Sequence, residues 1–157
     1  MRGTRVLILA AVAAALAVIV GVTSAQAVEQ VPFTITEHIN FASGEATFTA
    51  TGPLCPLGTF EDSVAAVGVS HTGASGMLNL LITTVYTCDD NSGTFTMLKH
   101  VFITFNEDGF TNTGPVQILG GTGAYADLVG HGVDNGSTSG DIGVGNIAGW
   151  VIPVGGA

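Results

Sequence analysis

Two charged residues interrupt what should be apolar strand faces. Alternate positions read Phe33, Ile35, Glu37, Ile39 and Phe41, while Thr34, Thr36, His38 and Asn40 take the other parity. Further on, Phe95, Met97, Lys99, Val101, Ile103 and Phe105 alternate with Thr94, Thr96, Leu98, His100, Phe102 and Thr104. Successive side chains of a strand point to opposite faces, so Glu37 and Lys99 both fall on the apolar side. A charge inside a fold is too costly unless paired or hydrated. A carboxylate and an ammonium meeting there could hold a ligand's polar end or act as acid and base. Two other placements compete: a β-bulge that swings either charge to solvent, and an inward charge at a strand end within reach of water.

A second candidate is the stretch GGTGAYADLVGHG, from Gly120 to Gly132. Gly121, Gly123 and Ala126 fit the dinucleotide spacing G-x-G-x-x-G/A, directly after the apolar run Val116-Gln117-Ile118-Leu119. That fingerprint works only where the glycines open a helix whose N-terminus faces a pyrophosphate. Here Gly130, Gly132, Gly136, Gly140, Gly143 and Gly145 follow and leave no room for a crossover helix. Asp141 stands roughly 20 residues on, where a ribose-binding acid would fall, but in a glycine-rich stretch. The glycines therefore read as conformational devices. Gly120, Gly121 and Gly123 turn the chain after a strand, Gly130 and Gly132 let the next strand bend or bulge, and Tyr125 covers one end of the core.

The remaining chemistry-bearing residues are scattered. His38, His71, His100 and His131 show no H-x-x-H spacing, so they read as surface residues rather than a metal site, and no metal or cofactor is expected. Asp89-Asp90-Asn91-Ser92-Gly93 resembles a calcium loop but lacks its later glycine and glutamate, and reads as a turn. Glu61 and Asp62 are adjacent, so on a strand they face opposite ways. Ser63 and Ser75 have no G-x-S-x-G context. Asn135-Gly136-Ser137 matches the glycosylation acceptor pattern. Tyr86, Tyr125 and Trp150 are expected in core packing, with Tyr86 and Trp150 also candidates for stacking against a ligand.

The elements that must position these residues read as strands. Threonine-rich alternating runs, broken by glycine and turn clusters, predict strands at 32–40, 45–50, 59–70, 78–86, 94–105, 115–119, 127–134 and 146–152. The clusters at 42–44, 89–93, 106–109 and 134–136 read as tight connections between antiparallel neighbours. Eight such strands close into a small barrel or split into a sandwich, and the alternation favours neither.

The N-terminal stretch reads as an export signal. Arg2 and Arg5 precede an unbroken apolar run over 6–22 and the small-residue motif Ala25-Gln26-Ala27, which describes a signal peptide over 1–27 and one domain over 28–157. An uncleaved membrane anchor is the competing reading. Beyond residue 27, Lys99 is the single Lys or Arg against all twelve carboxylates, a formal charge of −11. Nucleic acids and anionic membranes are bound mainly through Lys and Arg, so neither is an expected partner. No arginine remains to clamp a phosphate. Cys55 and Cys88 form an exported even pair, 33 residues apart, and read as a disulfide. A nucleophilic cysteine is the alternative, with no cation nearby in sequence to activate it. Both cysteines precede the triplet Gly-Thr-Phe, a weak internal echo.

The segment LGGTGAYADLVGHG resembles the strand–loop–strand region of the allene oxide cyclase and dirigent barrel families, and CPLGTFED and CDDNSGTFT are similar to exported bacterial proteins thought to share that barrel. The resemblance implies an eight-stranded antiparallel barrel with an apolar lumen, often trimeric in plants, that guides cyclisation or radical coupling of apolar small molecules without a cofactor. Only Gly120, Gly121, Thr122, Gly123 and Tyr125 carry over residue by residue. The functional expectation is a secreted β-barrel binding an apolar small molecule in its lumen. The alternatives are a cofactor-free cyclase or isomerase using Glu37 and Lys99, and a non-catalytic extracellular interaction module, with a homo-oligomer compatible with each.

Overall fold

The structure, a computed structural model, describes residues 29–70 and 77–153. The leader expected over 1–27, together with His71 and Ser75, lies outside the described residues. Eight strands follow one another: β1 Val31–Asn40, β2 Glu45–Thr51, β3 Leu57–Ser70, β4 Met77–Cys88, β5 Thr94–Asn106, β6 Gly109–Gly121, β7 Leu128–Ser139 and β8 Ile142–Pro153. Each pairs antiparallel with its chain neighbours, and β1 pairs with β8 from Val31↔Val151 to Asn40↔Ile142. That last ladder closes the sheet into a barrel and excludes the sandwich.

Closure turns the alternation of each strand into an inside and an outside. On β5, Phe95, Met97, Lys99, Val101 and Ile103 are buried, while the residues between them are partly exposed. At one end of the barrel the interior is packed solid around Tyr86. Its ring stacks on Phe95 at 4.5 Å between centroids and meets Phe48 edge-on at 5.1 Å, arrangements that aromatic quadrupoles favour. Leu54, the Cys55–Cys88 disulfide and Tyr125 cover this end.

The glycine-rich stretch between β6 and β7 belongs to that cover. Gly123 has φ 59°, and a Cβ there would lie 2.2 Å from the Ser92 carbonyl oxygen, so only glycine fits. Thr122 donates its amide to Thr94 O at 2.9 Å and accepts the Thr94 amide on its hydroxyl at 3.1 Å. Ser92 Oγ and Tyr125 Oη lie 3.0 Å apart, and Tyr125 is buried, as expected for a residue closing the core. The turn thus stitches the end of β6 to the start of β5.

The expected strands are all present and each is longer than the sequence implied, β6, β7 and β8 most of all. β6 begins at Gly109 rather than 115, β7 runs to Ser139 and β8 starts at Ile142. Residues 134–136 are therefore not a turn: they pair with Gly114, Thr113 and Asn112 inside β7, and the reversal comes at Gly140, φ 56°. Gly130 and Gly132 do not form a bulge either, because β7 keeps an unbroken register with β6 and β8. The irregularity lies on β6, where Phe95↔Gly121 is followed by Met97↔Ile118 and Gly120 has φ 92°.

One seam is short. β2 and β3 share only the pairs Thr47↔Thr59, Phe48↔Gly58 and Thr49↔Leu57, whereas β3 continues to Ser70. Beyond Thr59 the β2-facing edge of β3 has no strand partner among the described residues.

The disulfide closes a loop of 33 residues, and the entropy of that closure is worth about 3 to 4 kcal/mol. The double variant Cys55→Ser/Cys88→Ser is expected to lose about that much stability in urea unfolding. An unchanged midpoint would show that the covered end holds without the bond.

Candidate functional site

Halfway along the lumen the apolar packing gives way to polar groups. Glu37 on β1 and Lys99 on β5 are 4% and 3% exposed and form an ion pair inside the barrel. In a ring of eight strands β1 and β5 stand opposite one another, so the pair spans the lumen. Both sit in unbroken alternation within their strands, which rules out the bulge and strand-end placements. Tyr86 donates its hydroxyl to the same Glu37 Oε1 that receives Lys99. The Lys99 ammonium also lies 5.6 Å from the Tyr86 ring centroid and 5.8 Å from that of Phe60, within cation–π range. Burial and the neighbouring Glu37 carboxylate hold the Tyr86 hydroxyl well above its usual pKa, so it stays a proton donor.

A third buried charge escaped the sequence reading. Asp134 on β7 is 3% exposed, accepts Asn112 Nδ2 on Oδ2 at 3.0 Å, and leaves Oδ1 buried with no hydrogen-bond partner among the described residues. Burial pushes its carboxyl up to about 6, with Lys99 pulling the other way. A signal for it existed in the chain: Leu128, Gly130, Gly132 and Asp134 share one strand parity. Reading 134–136 as a turn concealed it. Asp62 is exposed but borders the lumen cavity and accepts the Thr84 hydroxyl at 2.6 Å, while its neighbour Glu61 does not line the cavity.

Above this polar layer the described residues leave space within the barrel. A cavity of about 210 Å³ has Glu37, Lys99, Asp134 and Asn112 in its lining and apolar walls that include Ile39, Leu80, Ile82, Val101 and Ile103. Gly145 on β8 leaves room at the floor: a Cβ there would lie 2.7 Å from Glu37 Oε2 and 3.6 Å from Asp134 Oδ1. The arrangement offers a hydrogen-bonding floor under apolar walls, the usual composition of a small-molecule site.

The other sequence candidates lie elsewhere. Tyr86 reaches the polar layer only through its hydroxyl, with its ring in the packed core. Trp150 is neither core nor lumen: it is 46% exposed on the outer wall, paired across β7–β8 with His131. His100 and His131 flank an outer hollow of about 480 Å³ that contains no buried charge, and exposed His38 lies on β1. Among the described residues no group of three or more His, Cys, Asp or Glu side chains is placed to hold a metal. Asp90 accepts the Ser92 amide at 2.9 Å, and the bonds from Ser92 hold its carboxyl below the usual range, as in an Asx-type turn.

Two outcomes follow from the polar layer. Lys99→Met leaves Glu37 buried without its cation and is expected to cost about 3 to 5 kcal/mol in chemical denaturation, while Glu37→Gln/Lys99→Met together cost less than the two single losses combined. Additive losses would mean the pair is not coupled. For Asp134, the carboxyl lies at about 6 in the fold against 3.8 when free, so the folded protein binds the extra proton between those values. Its contribution to stability is complete below 3.8 and is lost as pH rises through about 6. Asp134→Asn should therefore stabilise the protein at pH 8 by on the order of 2 kcal/mol, with most of that gain gone at pH 4. A thermal shift that does not depend on pH would contradict the raised carboxyl.

The chain matches no family description, and no curated protein or solved structure is found to be similar to it.

Proposed function

We propose that this is an exported protein that binds a small, largely apolar molecule in the half of its barrel beyond the Glu37–Lys99 pair. The observation that carries the reading is the cavity of about 210 Å³, apolar on its walls and polar on its floor. Taking about 30 Å³ per water-sized group, it has room for roughly seven such groups. The lumen also combines an energetic cost with a use. Two buried carboxylates and one buried ammonium inside a barrel are costly as structure alone, since apolar residues of like volume often serve stability as well. Export is supported by the cysteine pair at disulfide distance and by the leader-like N-terminal stretch. No helix among the described residues is long and apolar enough to cross a membrane.

A second reading is a cofactor-free isomerase or cyclase, in keeping with the allene oxide cyclase and dirigent resemblance. It is favoured by Asp134, whose carboxyl at about 6 lies close to the pH at which an acid or base exchanges protons with a substrate efficiently. Glu37, Lys99 and Asp134 would then share the proton transfers at the cavity floor.

Native mass spectrometry of the protein from its producing cells tests the first reading directly. A bound small molecule is expected, and Thr138→Trp, which places an indole in the cavity lining, should abolish it. Retention of the same molecule by that variant would move the binding site out of the lumen. If the co-purifying molecule is returned chemically altered, and Asp134→Asn stops the alteration without stopping binding, the second reading replaces the first.

A further inference from the structure

The lumen carries more than an ion pair, and its charge is unbalanced. Glu37 on β1 and Asp134 on β7 are buried in it and exposed Asp62 borders it from β3, while Lys99 on β5 is the only Lys or Arg among the described residues. Two buried carboxylates against one buried ammonium leave an excess of one negative charge when all are ionised, and exposed Asp62 adds to it from the lining. Their partners are unequally distributed. Glu37 Oε1 takes both Lys99 and Tyr86, and Asp62 takes Thr84. Asp134 has only the Asn112 amide on one oxygen, and its other oxygen is buried with no partner among the described residues. A buried acceptor left unmade costs on the order of 1 to 3 kcal/mol. The unpartnered oxygen lies beside the space above Gly145, into which Glu37 Oε2 also projects.

Resting on the lumen-binding reading, we infer that the ligand is a small primary amine, bound with its ammonium group between Asp134 Oδ1 and Glu37 Oε2 and its hydrocarbon part against Ile82, Val101 and Ile103. An ammonium donates up to three hydrogen bonds and accepts none, which matches a floor whose free atoms are acceptors. It also neutralises part of the excess charge, where a carboxylate ligand would add to it. A bare divalent metal does not fit, because no group of three or more ligating side chains is assembled among the described residues. Over residues 29–153 one cation stands against twelve carboxylates, and a field of that sign draws cations toward the protein.

Three six-carbon probes with different heads test the inference: hexylamine, hexanol and hexanoate, titrated into the full protein at pH 7.5 by calorimetry. Hexylamine is expected to bind at least tenfold tighter than hexanol, and hexanoate weaker than both. Asp134→Asn should bring hexylamine to within about twofold of hexanol and leave hexanol unchanged, with circular dichroism and the melting temperature verifying the fold. A further arm uses only the unaltered protein. As pH falls below about 6, Asp134 takes up a proton in the presence of Glu37, Asp62, Lys99 and the Tyr86 hydroxyl, and hexylamine should weaken while hexanol does not. Hexanol or hexanoate binding as tightly as hexylamine overturns the amine inference but leaves lumen binding standing. Binding of none of the three overturns both.

Discussion

A carboxylate and an ammonium removed from water need each other more than either needs its own strand. Glu37 and Lys99 are 62 residues apart in the chain and meet across the diameter of the barrel. Each belongs to a strand whose other inward residues are apolar, so neither finds a partner on its own strand. The pair acts as a strut: neither β1 nor β5 can slide by one residue without sending its charge to the outside and bringing in a neighbour, Thr36 or His38 on β1 and Leu98 or His100 on β5. Tyr86 ties that strut to the aromatic core, because its ring stacks within the packed half and its hydroxyl ends on Glu37.

The strut divides the interior into two unlike compartments. Below it, aromatic and branched side chains fill the volume, and the disulfide, Leu54 and Tyr125 cover the end. Above it, side chains of similar character stand apart and enclose space. Part of that space lies against β8, where Gly143 and Gly145 line the cavity and have no side chain to fill it. A barrel of eight strands is just wide enough to be filled by its own side chains, so glycine on one wall is enough to leave a cavity.

Much of this was legible because a strand's period of two is easily read. The inward placement of Glu37 and Lys99, the number of strands and the pairing of Cys55 with Cys88 all follow from alternation and composition. What was not legible came from residues that serve two purposes. Asp134-Asn135-Gly136 has turn chemistry, yet in a sheet the same residues are held by neighbours distant in sequence: Asn112 binds Asp134, and Thr113 donates its hydroxyl to Asn135 at 2.9 Å. Residues 110–114 fell outside the expected strands, yet they pair with β7 from Phe110↔Thr138 to Gly114↔Asp134. Trp150 was misplaced because its size argued for burial. Its position is set by parity alone, opposite in sense to that of buried Val151. Local chemistry named the residue types correctly, and tertiary pairing decided what they do.

The short β2–β3 seam gives the barrel a mechanical character that strand count alone does not convey. Seven of the eight joints are long ladders, while this one is closed by three residue pairs near the covered end. A ring with one short joint behaves as a curled spring clip. Strain introduced from the cavity end concentrates at the gap between β2 and β3, where Val64 and Asp62 already border the cavity. The opposite wall, formed by β6, β7 and β8 with unbroken registers, stays fixed. Asp134 is mounted on that rigid side and Asp62 on the compliant one, so the lumen can widen without displacing the carboxyl that has a free oxygen.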